Sequence, residues 1–169
     1  MIHCDEDPSI TNDVSELEVF IDRPVGDVWR PLLDLSSWVT THVIEEVSET
    51  KRTVGAITRV SFKRAKEMGY PLPHHHYCKI IKLVPEQLYV LKTYSEKGGS
   101  YGSQIAAFDV IRLVTLDRGT RLTFSFFGEF RGARIEGEPR RESAPIDMDV
   151  SLEGMKINLD NLKRIVEGR

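Results

Sequence analysis

Between His42 and Phe130 the chain runs through six β-rich segments in close succession, and one long amphipathic stretch follows them near the C-terminus. The six are "HVIEEVSE", "VGAITRVSFKR", "HHHYCKIIKLV", "QLYVLKTYS", "SQIAAFDVIRLVTL" and "TRLTFSFFGEF". Each is rich in β-branched and aromatic residues, which suit a pleated, half-buried surface. The turn signals "TKRTVG", "PE", "EKGGSYG" and "DRG" punctuate them. The link "LDRGT" is short and carries Gly119, so the last two strands should form a tight antiparallel hairpin. Strands in consecutive order suggest a meander rather than an alternating βαβ array.

Ahead of this block, "SELEVFID" (Ser15 to Asp22) alternates apolar and polar through Leu17, Val19 and Ile21, and adds a strand to make about seven. In "RPVGDVWRPLLD", Val25, Val28, Trp29 and Leu32 recur at helical spacing, with Trp29 expected in the core. Pro24 falls in the first turn, where a missing N–H costs nothing. Pro31 cannot donate to the carbonyl of Asp27, so a kink or early stop is expected there. Ser36 in "LSSWVTT" is the expected cap of one more short turn.

At the other end Met148, Leu152, Met155, Leu159, Leu162 and Val166 are spaced 4, 3, 4, 3, 4. One apolar stripe with charges opposite predicts a helix from about Asp149 to Glu167, with Gly168 at its end. At 1.5 Å per residue it would run roughly 28 Å, enough to cross a sheet. The segment from Arg131 to Asp147 is charged, rich in Gly and Pro and without period, and reads as a long loop or strand extension.

The totals bound the rest. The 169 residues suit one domain; 40% are hydrophobic and 29% charged, the profile of a globular chain. The expected division is a flexible tail over 1–14 and a single domain over 15–169. Net charge is −3 without a basic block, so nucleic acid is not an expected partner. The acidic start lacks a secretory pattern, and no run approaches the roughly 18 apolar residues of a membrane span. Cys4 and Cys78 lack metal or redox spacing, so the expectation is reduced thiols and a cytoplasmic location.

Strand, short kinked helix pair, six antiparallel strands and long closing helix together resemble the START-like, Bet v 1-like helix-grip superfamily. Its polyketide cyclase/dehydrase and lipid-transport branch looks nearest. The likeness is carried by "IDRPVGDVWRPLLDLSSW", "VGAITRVSF", "LVTLDRGTRLTFSF" and "LEGMKINLDNLKRIVE". It implies an α+β class: a curved antiparallel sheet of about seven strands wrapped around the C-terminal helix, with two short helices after strand 1. It also implies a cavity between sheet and helix, the usual setting of a small-molecule site. Phe124, Met148, Met155 and Leu159 would line it, Gly154 would leave room, and each of these is equally readable as an ordinary core position. Pro31 and the long 131–147 segment depart from the family pattern.

The triple histidine in "YPLPHHHYCKI" sits at the mouth of a strand. Side chains alternate faces, so His74 and His76 share one side and His75 takes the other. If Lys79 points to water, then His74, His76, Cys78 and Ile80 point inward. Zinc would need a third ligand, and Asp109, found by counting back from Leu113, is the only inward carboxylate on offer. No metal and no other cofactor is expected. Hydrogen bonding or proton transfer by His74, His76 or Asp109 fits better, with hydroxyls from Tyr94 and Tyr101. Arg59, Arg112 and Arg121 look outward.

The expected function is binding of a hydrophobic or aromatic small molecule. The ligand-facing set is His74, His76, Tyr94, Asp109, Phe124, Met148, Met155 and Leu159. An aromatase/cyclase- or dehydratase-type enzyme on the same scaffold, with His74, His76 or Asp109 catalytic, is the alternative. A protein-binding module like the superfamily's chaperone activators is a third. A homodimer stays open.

Overall fold

A computed structural model describes residues 15–63, 75–94, 104–131 and 148–168. The elements are β1 (Ser15–Ile21), α1 (Val25–Leu32), α2 (Leu35–Trp38), β2 (His42–Glu46), β3 (Ile57–Phe62), β4 (His76–Val84), β5 (Leu88–Tyr94), β6 (Gln104–Thr115), β7 (Thr120–Arg131) and α3 (Met148–Glu167). Cys4, His74, Tyr101 and the 132–147 segment lie outside the described residues, as do residues 1–14.

The seven strands form one antiparallel sheet in the order β1-β7-β6-β5-β4-β3-β2. From β2 to β7 it is the expected meander. β1 does not sit beside β2 but closes the opposite edge against β7, with Leu17 facing Phe124 and Ile21 facing Thr120. The segment α1–α2 therefore carries the chain from one edge of the sheet to the other. The β6–β7 hairpin turns through Gly119, at φ +82°, and closes with Leu116 N–H donating to Gly119 O at 3.1 Å. A Cβ there would stand 2.4 Å from the carbonyl oxygen of Ile21, so the turn admits only glycine.

The face on which Ile21, Val60, Ile80, Leu91, Ile111, Leu113, Leu122 and Phe124 are buried is the one covered by α3, whose Leu159 and Leu162 join the same core. This is the helix-grip arrangement. The 20 residues of α3 span roughly 30 Å.

The N-terminal helices differ from the expectation in two places. Helix α1 does end just after Pro31, at Leu32, but its half-buried Trp29 only borders the core. The fully buried tryptophan is Trp38 of α2, whose Nε1–H donates to Leu32 O at 3.2 Å. Val28, one residue earlier, takes the inward position, which leaves Trp29 at the border of the core. The cap of α2 is Asp34, not Ser36, which lies within the first turn and donates its hydroxyl to Asp34 Oδ1.

Candidate functional site

The covered face of the sheet has two unlike ends. At one, β1 runs into α1 and the β6–β7 hairpin lies alongside; Ile21, Val28, Leu32, Thr120, Leu122 and Leu162 are all fully buried there. Backbone bonds and charges clasp this end. Glu167 Oε1 accepts from Asp22 N–H at 2.9 Å, Thr120 Oγ1 donates to Arg23 O at 2.8 Å, and Arg118 grips Asp22 through two nitrogens at 3.1 and 2.8 Å. The hollow bounded by Leu33, Ile44, Ala56, Ile80 and Tyr89 measures about 20 Å³, room for roughly one water.

Toward the other end the same face stays only half-buried, at Leu17, His42, His76, Asp109, Phe126, Leu152 and Met155. Register sets Asp109 level with Leu91 and Ile80, four residues along β4 from His76. Val60 of β3 pairs with both Ile44 and His76, and Asp109 pairs with Leu91 on one side and Phe126 on the other. The apolar stripe of α3 is complete enough to seal the first end and leaves the second partly open.

That open end is where the polar side chains gather. The His42 and His76 rings meet edge to face, centroids 6.2 Å apart. Cys78 Sγ lies 3.5 Å from Thr93 Oγ1, its partner across β4 and β5. Asp109 is half-buried, and burial pushes its carboxyl up to about 7. Burial, then the nearby Asp109, pushes the Cys78 thiol up to about 12, against the lowering effect of the Thr93 bond. Tyr89 is raised as well, by burial first and then by Cys78 and Asp109. At neutral pH the thiol and the phenol are therefore neutral, and the carboxyl is close to half-protonated.

Of the residues singled out in the sequence, His76, Asp109, Phe124, Met155 and Leu159 lie on the covered side. Phe124 and Leu159 are core residues, 3% and 2% exposed, while His76, Asp109 and Met155 border the open end. Met148 is the first residue of α3. Tyr94 was expected in the cavity and is not there. It follows buried Thr93 on β5, so it stands on the convex face, stacked on Tyr77 at 5.7 Å. His75 precedes β4 and meets Tyr77 edge to face at 5.8 Å. Arg59 and Arg121 pair outward with Glu45 and Glu18, and Arg112 is exposed. Among the described residues no three His, Cys, Asp or Glu side chains converge as a metal site would require.

Two site residues escaped the sequence reading. His42 opens the edge strand β2, and Asn158 sits in α3 at 1% exposure. Asn158 Oδ1 accepts from Thr40 N–H at 3.0 Å and Thr41 N–H at 3.4 Å, and its Nδ2 donates to Thr41 Oγ1 at 2.8 Å. Thr41 Oγ1 in turn lies 2.8 Å from His42 Nδ1. The one available signal was a polar residue interrupting the inward stripe of a helix.

No family model and no curated protein matches the sequence. Solved structures match over almost its full length. Ara h 8.0201 aligns with a TM-score of 0.59 at 14% identity, covering 93% of this chain and 99% of the other. The Aha1 dimer from Colwellia psychrerythraea gives 0.58 at 14% identity, covering 92% and 96%. A protein of the dynemicin biosynthetic locus gives 0.57 at 18% identity, covering 93% of this chain and 48% of its own. The likeness is one of fold: the chain shares the helix-grip fold of these structures. Among the described residues no helix is long and apolar enough to cross a membrane.

Proposed function

We propose that this chain binds a hydrophobic or aromatic small molecule, lipid- or polyketide-like, between the open end of the sheet and α3. The observation that carries the reading is the change along the covered face, from fully buried aliphatics to half-buried apolar walls with a few polar groups. An apolar cleft with sparse polar side chains is the common form of a small-molecule site. Leu91, Phe126 and Met155 would supply apolar contact, gaining about 25 cal/mol per Å² covered. His76 and Asp109 would set orientation. Met suits such a wall because its flexible thioether fits irregular shapes. The presence of a dynemicin-locus protein among the fold relatives is in keeping with a polyketide-like ligand.

Native mass spectrometry of protein purified from its own source tests this. A non-covalent organic mass that is lost on denaturation is the expected result. A bare chain that also fails to take up any neutral aromatic ligand in titration would defeat the reading.

A second reading has one observation in its favour. A carboxyl that titrates near neutrality on the covered face is matched to general acid–base work. On that reading Asp109→Asn or His76→Ala lowers turnover of a bound substrate by about 10²-fold or more while ligand affinity changes little.

A further inference from the structure

Elsewhere on the chain the acids have cations beside them: Asp22 has Arg118, Asp34 has Arg52 and Glu45 has Arg59. Asp109, on the covered face, has none. Among the described residues no side chain gives it a hydrogen bond or an ion pair. Its cross-strand neighbours are apolar: Leu91 on β5, with Ile80 beyond it on β4, and Phe126 on β7. The nearest polar groups do not serve it. Cys78 and Thr93 bond to each other, and burial holds the phenol of Tyr89 neutral. Further along the sheet the face carries His76 and, on the edge strand β2, His42 and Glu46, the last paired with Lys51. From α1, α3 and β7 the core takes Val28, Leu32, Leu159, Met155 and Phe126, none of them titratable. Polar groups withdrawn from water are ordinarily bonded, and a carboxylate left without a donor is costly. Burial alone pushes the Asp109 carboxyl up, the response of an acid with no cation at hand.

We propose that Asp109 is the anchor for a basic nitrogen, so that the ligand of the cleft is an amine on an otherwise apolar, aromatic body. This rests on the cleft-binding reading and narrows its ligand class. A cation is the partner that relieves an ionised carboxyl best, since a charge-assisted hydrogen bond is roughly twice as strong as a neutral one. Phe126 stands directly opposite on β7, and side chains so paired have Cβ atoms about 5 Å apart. A cation held by Asp109 therefore has an aromatic ring within reach, which favours it further. The titration of the carboxyl gives this binding a sign. An ammonium selects the ionised form, so below about pH 7, where the free protein holds the proton, binding must release it. Affinity for the amine then falls by about tenfold per pH unit and levels off above about pH 8.

The test is calorimetric titration with three probes of one shape: 1-(2-naphthyl)ethylamine, 1-(2-naphthyl)ethanol and 2-isopropylnaphthalene. At pH 8 the amine is expected to bind about tenfold tighter than the hydrocarbon, with the alcohol between them. At pH 6 the amine should bind about tenfold more weakly than at pH 8, and buffers of different ionisation heat should report about one proton released per amine bound. In Asp109→Asn the amine should fall to the level of the hydrocarbon and the proton release should vanish. An amine no better than the hydrocarbon at pH 8, or an alcohol that matches it, overturns the proposal while leaving the cleft reading intact. So does a pH dependence of the same size in Asp109→Asn, which would belong to His42 or His76. Failure of all three probes to bind defeats both. A ¹³C titration of the Asp109 carboxyl is a second readout: saturation with the amine should lower its midpoint by about one pH unit or more. A midpoint that the bound amine leaves in place overturns the proposal.

Discussion

The two ends of the covered sheet face are made from the same strands and the same helix, yet they are packed to different standards. Where Ile21, Leu122 and Leu162 meet, burial is complete and the ends of β1, β7 and α3 are bonded to one another. Toward the end that carries His76, Asp109, Phe126 and Met155, burial is partial and polar groups stand among apolar ones. A protein interior is ordinarily close-packed, and an end left loose forgoes dispersion contacts. The first end explains why the fold is stable. On the proposed reading, the stability given up at the second is space for a ligand.

Substitutions should separate the ends sharply. Trp38→Ala, at the closed end, removes the largest fully buried side chain and should cost about 3–5 kcal/mol in chemical denaturation. A cost near 1 kcal/mol would mean that the closed end is not the stability core. Asn158→Leu leaves the Thr40 and Thr41 amides without their acceptor. A loss of about 2–3 kcal/mol is expected, measured the same way.

Asp109 gives the comparison a pH dependence. Its folded value, about 7, lies above the ordinary 3.8. Below about pH 4 both folded and unfolded chains hold the proton. Between there and about 7 only the folded chain does, so unfolding releases a proton and stability falls as pH rises. Above about 7 the loss is complete. Asp109→Asn removes this penalty and should stabilise the protein by about 2 kcal/mol at pH 8, discounted for the side open to solvent, and hardly at all at pH 4. Denaturation midpoints of the two proteins across that range check the sign; parallel curves would place Asp109 in water rather than in a cleft wall. Smallest of all on stability is Met155→Ala, at about 1 kcal/mol or less because the side chain is only half-buried. Its effect should appear in ligand affinity instead.

Much of the architecture could be read from the chain because periodicity reports it directly. Alternation in β1 and in the six later strands, the 4-3 spacing of α3, and Gly119 in its hairpin each have one local cause. Counting faces back from Leu113 placed Asp109 inward, and pairing with Leu91 and Phe126 agrees. Along β5 the same alternation buries Tyr89, Leu91 and Thr93 and so sends Tyr94 to the convex side. The position of β1 beside β7 has no local signature at all. Nor does the bonding of Asn158 to Thr41: the two are 117 residues apart, and only the packing of α3 against the segment between α2 and β2 brings them together. His42 looked unremarkable for the same reason, since its neighbour His76 comes from another strand, two places away in the sheet.

The most direct test of the central claim, that the loosely packed end is the binding end, is a titration of isotope-labelled protein with 2-acetylnaphthalene followed by NMR. Shifts should concentrate at His42, His76, Asp109, Phe126 and Met155, while Ile21, Leu122 and Leu162 stay still. Shifts centred on Tyr77 and Tyr94 of the convex face, or spread over the closed end, would contradict the account.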